Sequence, residues 1–407
     1  MKIAAKDFKM TELGPVPKDW EVVDFDECFD LLRTNTYARA YMTDSDGWIN
    51  NVHYGDVLIK YGSMLDFNNA HVPCLVDSIG VGGDFLEDGD VVIADTAEDE
   101  AVGKATEICN VGDHRVVAGL HTIACRPKKE FARGWLGFFI NSSSYHDQLL
   151  PLITGIKVSS VSKSAFRQTK MVVPPLPEQR KIAAALSDVD EMIVALEKLI
   201  GKKRKIKTGA MQRLLTGKTR LPGFKGAWVE KRLGEVVEVL DNRRVPLNDS
   251  QRQSGPYPYC GANGIVDFID RYIFDEEVIL MAEDGGNFQD FANRPIAYKM
   301  RGKFWVNNHA HVLKAVIGID QDFLFCQLVH KDITDTITGG TREKLTRGQL
   351  ENLMVVFPPT LAEQKAIAKV LGDMDEEIAA LEAELAKARQ LKQGMMQELL
   401  TGKVRLV

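Results

Sequence analysis

The chain has 407 residues, a formal net charge of −6, 45% apolar residues and 27% charged residues. At roughly 100–200 residues per domain, that length holds two to four folding units of ordinary globular composition. The acidic balance excludes a protein that coats nucleic acid indiscriminately, while leaving room for local basic faces.

Taken in chain order, residues 1–173 lack helical periodicity over most of their length. They carry short β-type runs, Asp56–Ile59 and Asp90–Ile93, set off by Gly55-Asp56 and Asp88-Gly89-Asp90 steps. A β-rich α+β module is expected. Among its polar and aromatic residues, Tyr37, Arg39 and Lys60 are of the types that contact base edges and phosphates. The module closes on Thr154-Gly155-Ile156-Lys157-Val158-Ser159-Ser160. This segment reads either as a turn feeding the last strand or as glycine, hydroxyl and cation set to approach phosphate, with Lys157, Ser159 and Ser160 as the contacts.

Residues 174–221 read as one long helix. Ile182, Leu186, Val189, Ile193, Leu196, Ile200 and Leu214 fall on a 4-3-4-3 spacing. Such a seven-residue repeat demands a left-handed supercoil with a second helix. Pro174-Pro175 and Pro177 stand where a helix begins, and Gly217 where it stops. From Ile182 to Leu214 the helix spans about 50 Å. The run Lys202–Lys207 weakens the seam and reads as a solvated face near a helix crossing or as a contact for phosphate or an acidic partner.

Residues 222–357 repeat the β-rich character, with the run Glu277–Met281 and the punctuation Asp284-Gly285-Gly286. Arg243, Arg244, Arg252, Tyr259 and Asn263 are its candidate DNA contacts, joined by Arg342 and Lys344 in the closing segment Thr338–Lys344. His309 and His311 fall on one face of an expected strand. No set with ligand spacing accompanies them, so no metal is expected. Residues 358–407 form a second helix after Pro358-Pro359, with Ile367, Leu371, Met374, Ile378, Leu381, Leu385 and Leu399 on its seam.

The two halves are copies of one plan. Glu178-Gln179-Arg180-Lys181-Ile182-Ala183 returns as Glu363-Gln364-Lys365-Ala366-Ile367-Ala368, a shift of 185 residues, and Leu214-Leu215-Thr216-Gly217-Lys218 returns at the same shift. Trp20 and Trp228 open matching stretches, and His121 can be laid on His309. The helices are therefore expected to pair with each other, antiparallel under approximate twofold symmetry.

These motifs resemble the specificity subunits of type I restriction-modification systems. The resemblance is carried by Val173-Pro174-Pro175-Leu176-Pro177-Glu178-Gln179 with Leu214–Gly217, by their second copies, and by Tyr257–Gly264 and Trp305–His311. It covers essentially the whole chain. It implies an α+β fold of two β-rich target recognition domains, 1–173 and 222–357. The helical spacers, 174–221 and 358–407, would form an antiparallel coiled coil. Each domain would read one half of a bipartite site on double-stranded DNA. The helices would dock two modification (methylase) subunits that bind S-adenosylmethionine and methylate adenine, with restriction subunits joining the full complex. An arm of about 50 Å is long enough to set two readers one DNA turn apart, roughly 34–36 Å.

No catalytic site is expected in this chain. It has no G-x-x-x-x-G-K-[ST] loop, and both Pro-Pro pairs lack the preceding Asn of an adenine methylase motif. No cofactor bound by this chain is expected. The opening Met1–Phe8 has no apolar core of signal-peptide length, and no stretch approaches a membrane span, so a cytoplasmic protein without a membrane partner is expected. The six cysteines form no C-x-x-C pair and read as reduced thiols. Two alternatives remain: a specificity subunit serving a fused nuclease-methylase, and a coiled-coil scaffold presenting two protein-binding modules.

Overall fold

The computed structural model describes residues 7–45, 47–76, 80–155, 157–339 and 343–406. The chain divides into two compact units, Met1–Glu197 with Glu384–Val407, and Lys198–Ala383. Each unit holds one β-rich module and one stretch of each of two long helices, Leu176–Leu214 and Leu361–Leu399.

In the first unit a five-stranded sheet runs in the order Phe29–Leu32, Thr122–Pro127, Val91–Ala94, Ala105–Cys109, Met64–Asp66. Its pairs are antiparallel except the last, which is parallel. Val91–Ala94 and Ala105–Cys109 are buried along their whole length, because helices cover one face and a second, four-stranded sheet lies on the other side of the module's core. The apolar run expected as a strand at Asp56–Ile59 is instead the end of a helix, Tyr54–Ile59. His53 caps it by accepting from the Gly55 amide, and a four-residue apolar run carries no period that separates strand from helix. The runs at Val91–Ala94 and Val278–Ala282 are strands.

The second unit has two four-stranded sheets. One orders Val237–Val239, Ala310–Ala315, Val278–Ala282 and Ala297–Met300; the other orders Gly264–Ile269, Ser254–Gly261, Lys303–Val306 and Phe274–Asp275. In each unit a short strand runs into the proline pair and pairs with the strand after the tryptophan. Lys170–Val173 lies on Glu21–Asp24, and Met354–Phe357 lies on Val229–Arg232.

The long helices run antiparallel within each unit. In the first, Glu178 meets Arg405, Asp190 meets Lys392 and Glu197 meets Arg389. In the second, Arg220 meets Glu363, Lys207 meets Asp375 and Arg204 meets Glu382. These are the same three ion pairs, since a shift of 185 residues converts one set into the other. Lys203 adds a bond to Glu377, so three cations of the Lys202–Lys207 run are paired across the helices. Ile182, Leu186, Val189, Leu196, Ile200, Leu214, Ile367, Leu371, Ile378 and Leu399 are buried, and Ile193, Met374, Leu381 and Leu385 are half-buried.

Both helices stop at a glycine in the left-handed region, Gly217 at φ +70° and Gly402 at +72°. The Thr219 amide then returns to the Arg213 carbonyl and the Val404 amide to Glu398, each at 3.1 Å. This six-residue return satisfies the last carbonyls of each helix. A side chain at either glycine would also strike Trp228 or Trp20 and Pro17. Among the described residues, no helix is long and apolar enough to cross a membrane.

Candidate nucleic-acid interface

The Glu-Gln pair that begins each helix has a structural task. Glu178 accepts Nε and Nη2 of Arg405 at 2.5 and 2.6 Å and also takes Trp20 Nε1 at 2.9 Å. Glu363 accepts Nε and Nη2 of Arg220 at 2.5 and 2.6 Å. Each guanidinium lies over the tryptophan of its own unit, Trp20 or Trp228. Gln179 accepts the Ala132 amide and Gln364 the Asp320 amide, tying each helix start to its module. Bidentate pairs of this kind fix orientation as well as adding energy.

The segments expected to approach phosphate also fold as twins. The Thr154 amide bonds the Ser160 carbonyl and Thr338 bonds Lys344, each closing a tight loop around a glycine at φ +110°, Gly155 or Gly339. Only glycine adopts that conformation readily, and a Cβ at Gly155 would lie 2.0 Å from the Val158 carbonyl oxygen. Beside each loop stands a histidine at the start of a buried strand. His121 lies 3.4 Å from Asp95 and 3.3 Å from Thr96; His309 lies 2.6 Å from Asp284. His309 sits in a turn and only His311 lies in the strand, so the two do not share a strand face.

Both loops have a backbone anchor, since the Val161 amide bonds the Asp95 carbonyl and the Leu345 amide the Glu283 carbonyl, each at 2.8 Å, and they differ in the side chains around it. Ser159 and Ser160 pair with Ala97 and Thr96 as a two-stranded ladder, and Lys157 is exposed. In the second module the loop meets a charge cluster. Lys344 bonds Glu283 at 2.9 Å, Arg244 bonds Glu283 at 2.6 Å, and His311 bonds Asp241 at 2.6 Å and the Leu345 carbonyl at 2.8 Å. Burial pushes the Asp241 and Glu283 carboxyls up, but these partners outweigh it and hold both below the usual carboxylate range. Asp241, Glu283 and His311 bring possible ligand atoms within 4.8 Å of one another, the geometry of a small metal site. Two cations already neutralise the carboxylates, and both ring nitrogens of His311 face oxygen acceptors. The cluster is complete as an ionic network.

The remaining candidates divide by exposure. Tyr37 is half-buried against Tyr41. Arg39 and Lys60 both bond Asp56, a buried carboxylate, and keep their outer surfaces in solvent. Arg243 bonds Glu276 and lies over Phe274. Arg252 lies over Tyr259 with its guanidinium bonded to the Leu247 carbonyl. Asn263 is exposed at a hairpin tip and bonds the Gly285 carbonyl. Arg244 and Tyr259 are packed inside: Arg244 serves the ionic cluster, and Tyr259 is 1% exposed with its hydroxyl bonded to Leu247. Residue type alone had placed both at the surface. Arg342 lies outside the described residues.

A groove of about 610 Å³ opens in the second module between residues 246–252 and the turn at Asn307–His309. Asn248, Gln251, Asn307, Asn308 and His309 line it beside Arg252. Of the residues lining it, Gln251, Arg252 and Tyr259 are of types and positions that suit contact with DNA in the sequence, and the asparagines Asn307 and Asn308 are not among them. The two asparagines sit in the Trp305–His311 stretch, and its weak repeat and its family resemblance are their signal.

The sequence profile of the type I restriction modification DNA specificity domain matches residues 17–208 and 225–390. A chain described as a type I restriction enzyme specificity subunit of Haemophilus influenzae is 36% identical over 151 residues, which is 37% of this chain and 38% of that one. The MjaX specificity subunit of Methanocaldococcus jannaschii is 24% identical over 98% of this chain and 97% of its own length. The crystal structure of the S subunit of a type I restriction-modification system from M. genitalium has the same fold, with a TM-score of 0.61 at 16% identity over 93% of this chain and 96% of that one. Twin profile matches, twin helix clamps and twin glycine loops agree, and the chain belongs to the type I restriction-modification DNA specificity family, as a specificity subunit with two specificity domains.

Proposed function

We propose that the modules spanning 1–173 and 222–357 each read one half of a bipartite site on double-stranded DNA, and that the chain itself carries no catalytic step. The twin loops at Thr154–Ser160 and Thr338–Lys344 are the observation that carries this reading. They place a threonine and a left-handed glycine at corresponding positions of the two modules, with a lysine elsewhere in each loop. Backbone approach at the glycines and the exposed cation Lys157 suit phosphate, which positions a reader without specifying sequence. Exposed amides nearby suit base edges.

The helical segments, 174–221 and 358–407, serve as spacer and as dock for two modification subunits. Those partners supply S-adenosylmethionine and the methyl transfer to adenine, and restriction subunits join the same cytoplasmic assembly. The clamps Glu178–Arg405 and Glu363–Arg220 support the spacer role, because each holds a module rigidly on a helix end.

The test is a map of methylated adenines in cells with and without this gene. The expected result is one bipartite motif that vanishes with the gene. Exchanging residues 222–357 for another module should change one half of the motif only; a change in both halves would defeat the modular reading.

A further inference from the structure

The groove of the second module contains one polar side chain that is almost fully buried yet left with a free donor. Asn307 is 7% exposed. Its Oδ1 accepts the His309 amide at 2.8 Å, which fixes the side chain's orientation. Its Nδ2 has no hydrogen-bond partner among the described residues, and it lines the groove. Gly261 keeps the space open on the hairpin side, since a Cβ there would sit 3.3 Å from Nδ2. The backbone amide of Asn307 is held by the Cys260 carbonyl at 3.0 Å. Position and direction of this donor are therefore set before any ligand arrives.

The surroundings are those of a reading surface. Asn308 is exposed beside it, and its side chain bonds nothing among the described residues. Gln251 and Asn248 form a reciprocal cap in which both oxygens accept, leaving both amide nitrogens to the groove. His309 spends Nδ1 on Asp284 and lines the groove. Such a rim of pre-set amides suits base edges better than phosphates, which favour cations. Arg252 stands at the rim, but its guanidinium is engaged by the Leu247 carbonyl and by Asp249.

We propose that Asn307 is a specificity-determining residue of the second module, a donor-only probe that reads a hydrogen-bond acceptor on a base edge, with Asn308 beside it. The inference rests on the reading of this module as a DNA-recognition module and adds the site and its chemical sense. In the major groove guanine, adenine and thymine each present an acceptor, whereas cytosine presents only its amino donor. The position read by Asn307 is therefore one where cytosine on the contacted strand is rejected.

The test uses the full chain assembled with its modification subunits, on duplex libraries randomised in both half-sites, with methylation read by sequencing. Asn307→Asp keeps the oxygen that accepts the His309 amide and turns the free donor into an acceptor. Expected is a roughly ten- to hundredfold loss on the wild-type motif, a new preference for cytosine or adenine at one position of one half-site, and no change in the other half-site. Asn308→Ala, which removes no internal bond, should relax a neighbouring position. An Asn307→Asp complex that methylates the wild-type motif undiminished overturns the assignment, and so does equal loss on every sequence with a lowered unfolding midpoint. A wild-type complex that methylates no bipartite site defeats instead the recognition reading on which the assignment rests.

Discussion

The two glycine loops share a left-handed glycine and differ in how much side-chain charge helps to hold them. In the first module a strand pair does it, with Thr96 opposite Ser160 and Ala97 opposite Ser159. In the second, the bridge between Asp284 and Lys344 and the Leu345 amide on the Glu283 carbonyl do it, and side-chain charge adds to them through Lys344, Glu283, Arg244, Asp241 and His311. The strand positions are equivalent: His311 stands opposite Met281 where Ile123 stands opposite Ile93. A backbone ladder tolerates changes of side chain, whereas a buried ionic network does not. The backbone anchor is thus common to both copies, and its sensitivity to mutation is not.

His311→Leu gives the largest expected effect. It leaves Asp241 buried without its main partner, which costs about 3–5 kcal/mol. Hydrogen exchange should rise across residues 343–353 and stay unchanged at 157–170. Equal protection at both would show that the cluster does not hold the loop. The helix clamps, by contrast, should cost the same in both copies. Glu178→Ala and Glu363→Ala each strand a bonded arginine, at about 3 kcal/mol by denaturant midpoint. A clear difference between them would mean that Asp19, which bonds Arg405, or Trp20, whose Nε1 bonds Glu178, shares the load.

Acidity should separate the modules with opposite signs. Burial pushes the Glu107 carboxyl of the first module up to about 7 against three backbone amides that favour its charge. Its contribution to stability is full below the ordinary carboxylate range and is lost as pH rises through about 7. Asp241 and Glu283 lie below their ordinary values, so their contribution is present at neutral pH and is lost as pH falls through the acid range. Exchange rates followed from pH 7 downward should slow around residues 134–137 before they quicken around 338–345. The smallest effect belongs to the exposed cross-helix pairs, Glu197–Arg389 and Arg204–Glu382, worth below about 1 kcal/mol each in double-mutant cycles.

The helical half of the molecule was legible because its signal is local. Each heptad position needs only an apolar side chain at the right spacing, and ten of the fourteen positions named for the seam are buried while the other four are half-buried. The modules were legible only in outline. A four-residue apolar run at Asp56–Ile59 fits strand or helix equally, and a cap from His53 settled it. Residue type suggested that Arg244 and Tyr259 faced solvent, yet partners 39 and 12 positions away draw them inside. Asn307 carried only the signal of the stretch it lies in, because its surroundings come from Gly261 and His309 closing around it.

By itself the sequence determined that there are two copies of one plan, where each long helix begins and ends, and which face each buries. Those properties follow from short-range periodicity, proline and glycine, which act within a turn or two of the chain. Only the tertiary structure decided which cations are bound internally, which donor is left free in the groove, and that Glu178 and Glu363 exist to hold Arg405 and Arg220. The physical reason is that a charge or amide takes its role from whatever the fold brings within about 3 Å of it, and in this chain those partners come from as far as 386 residues away.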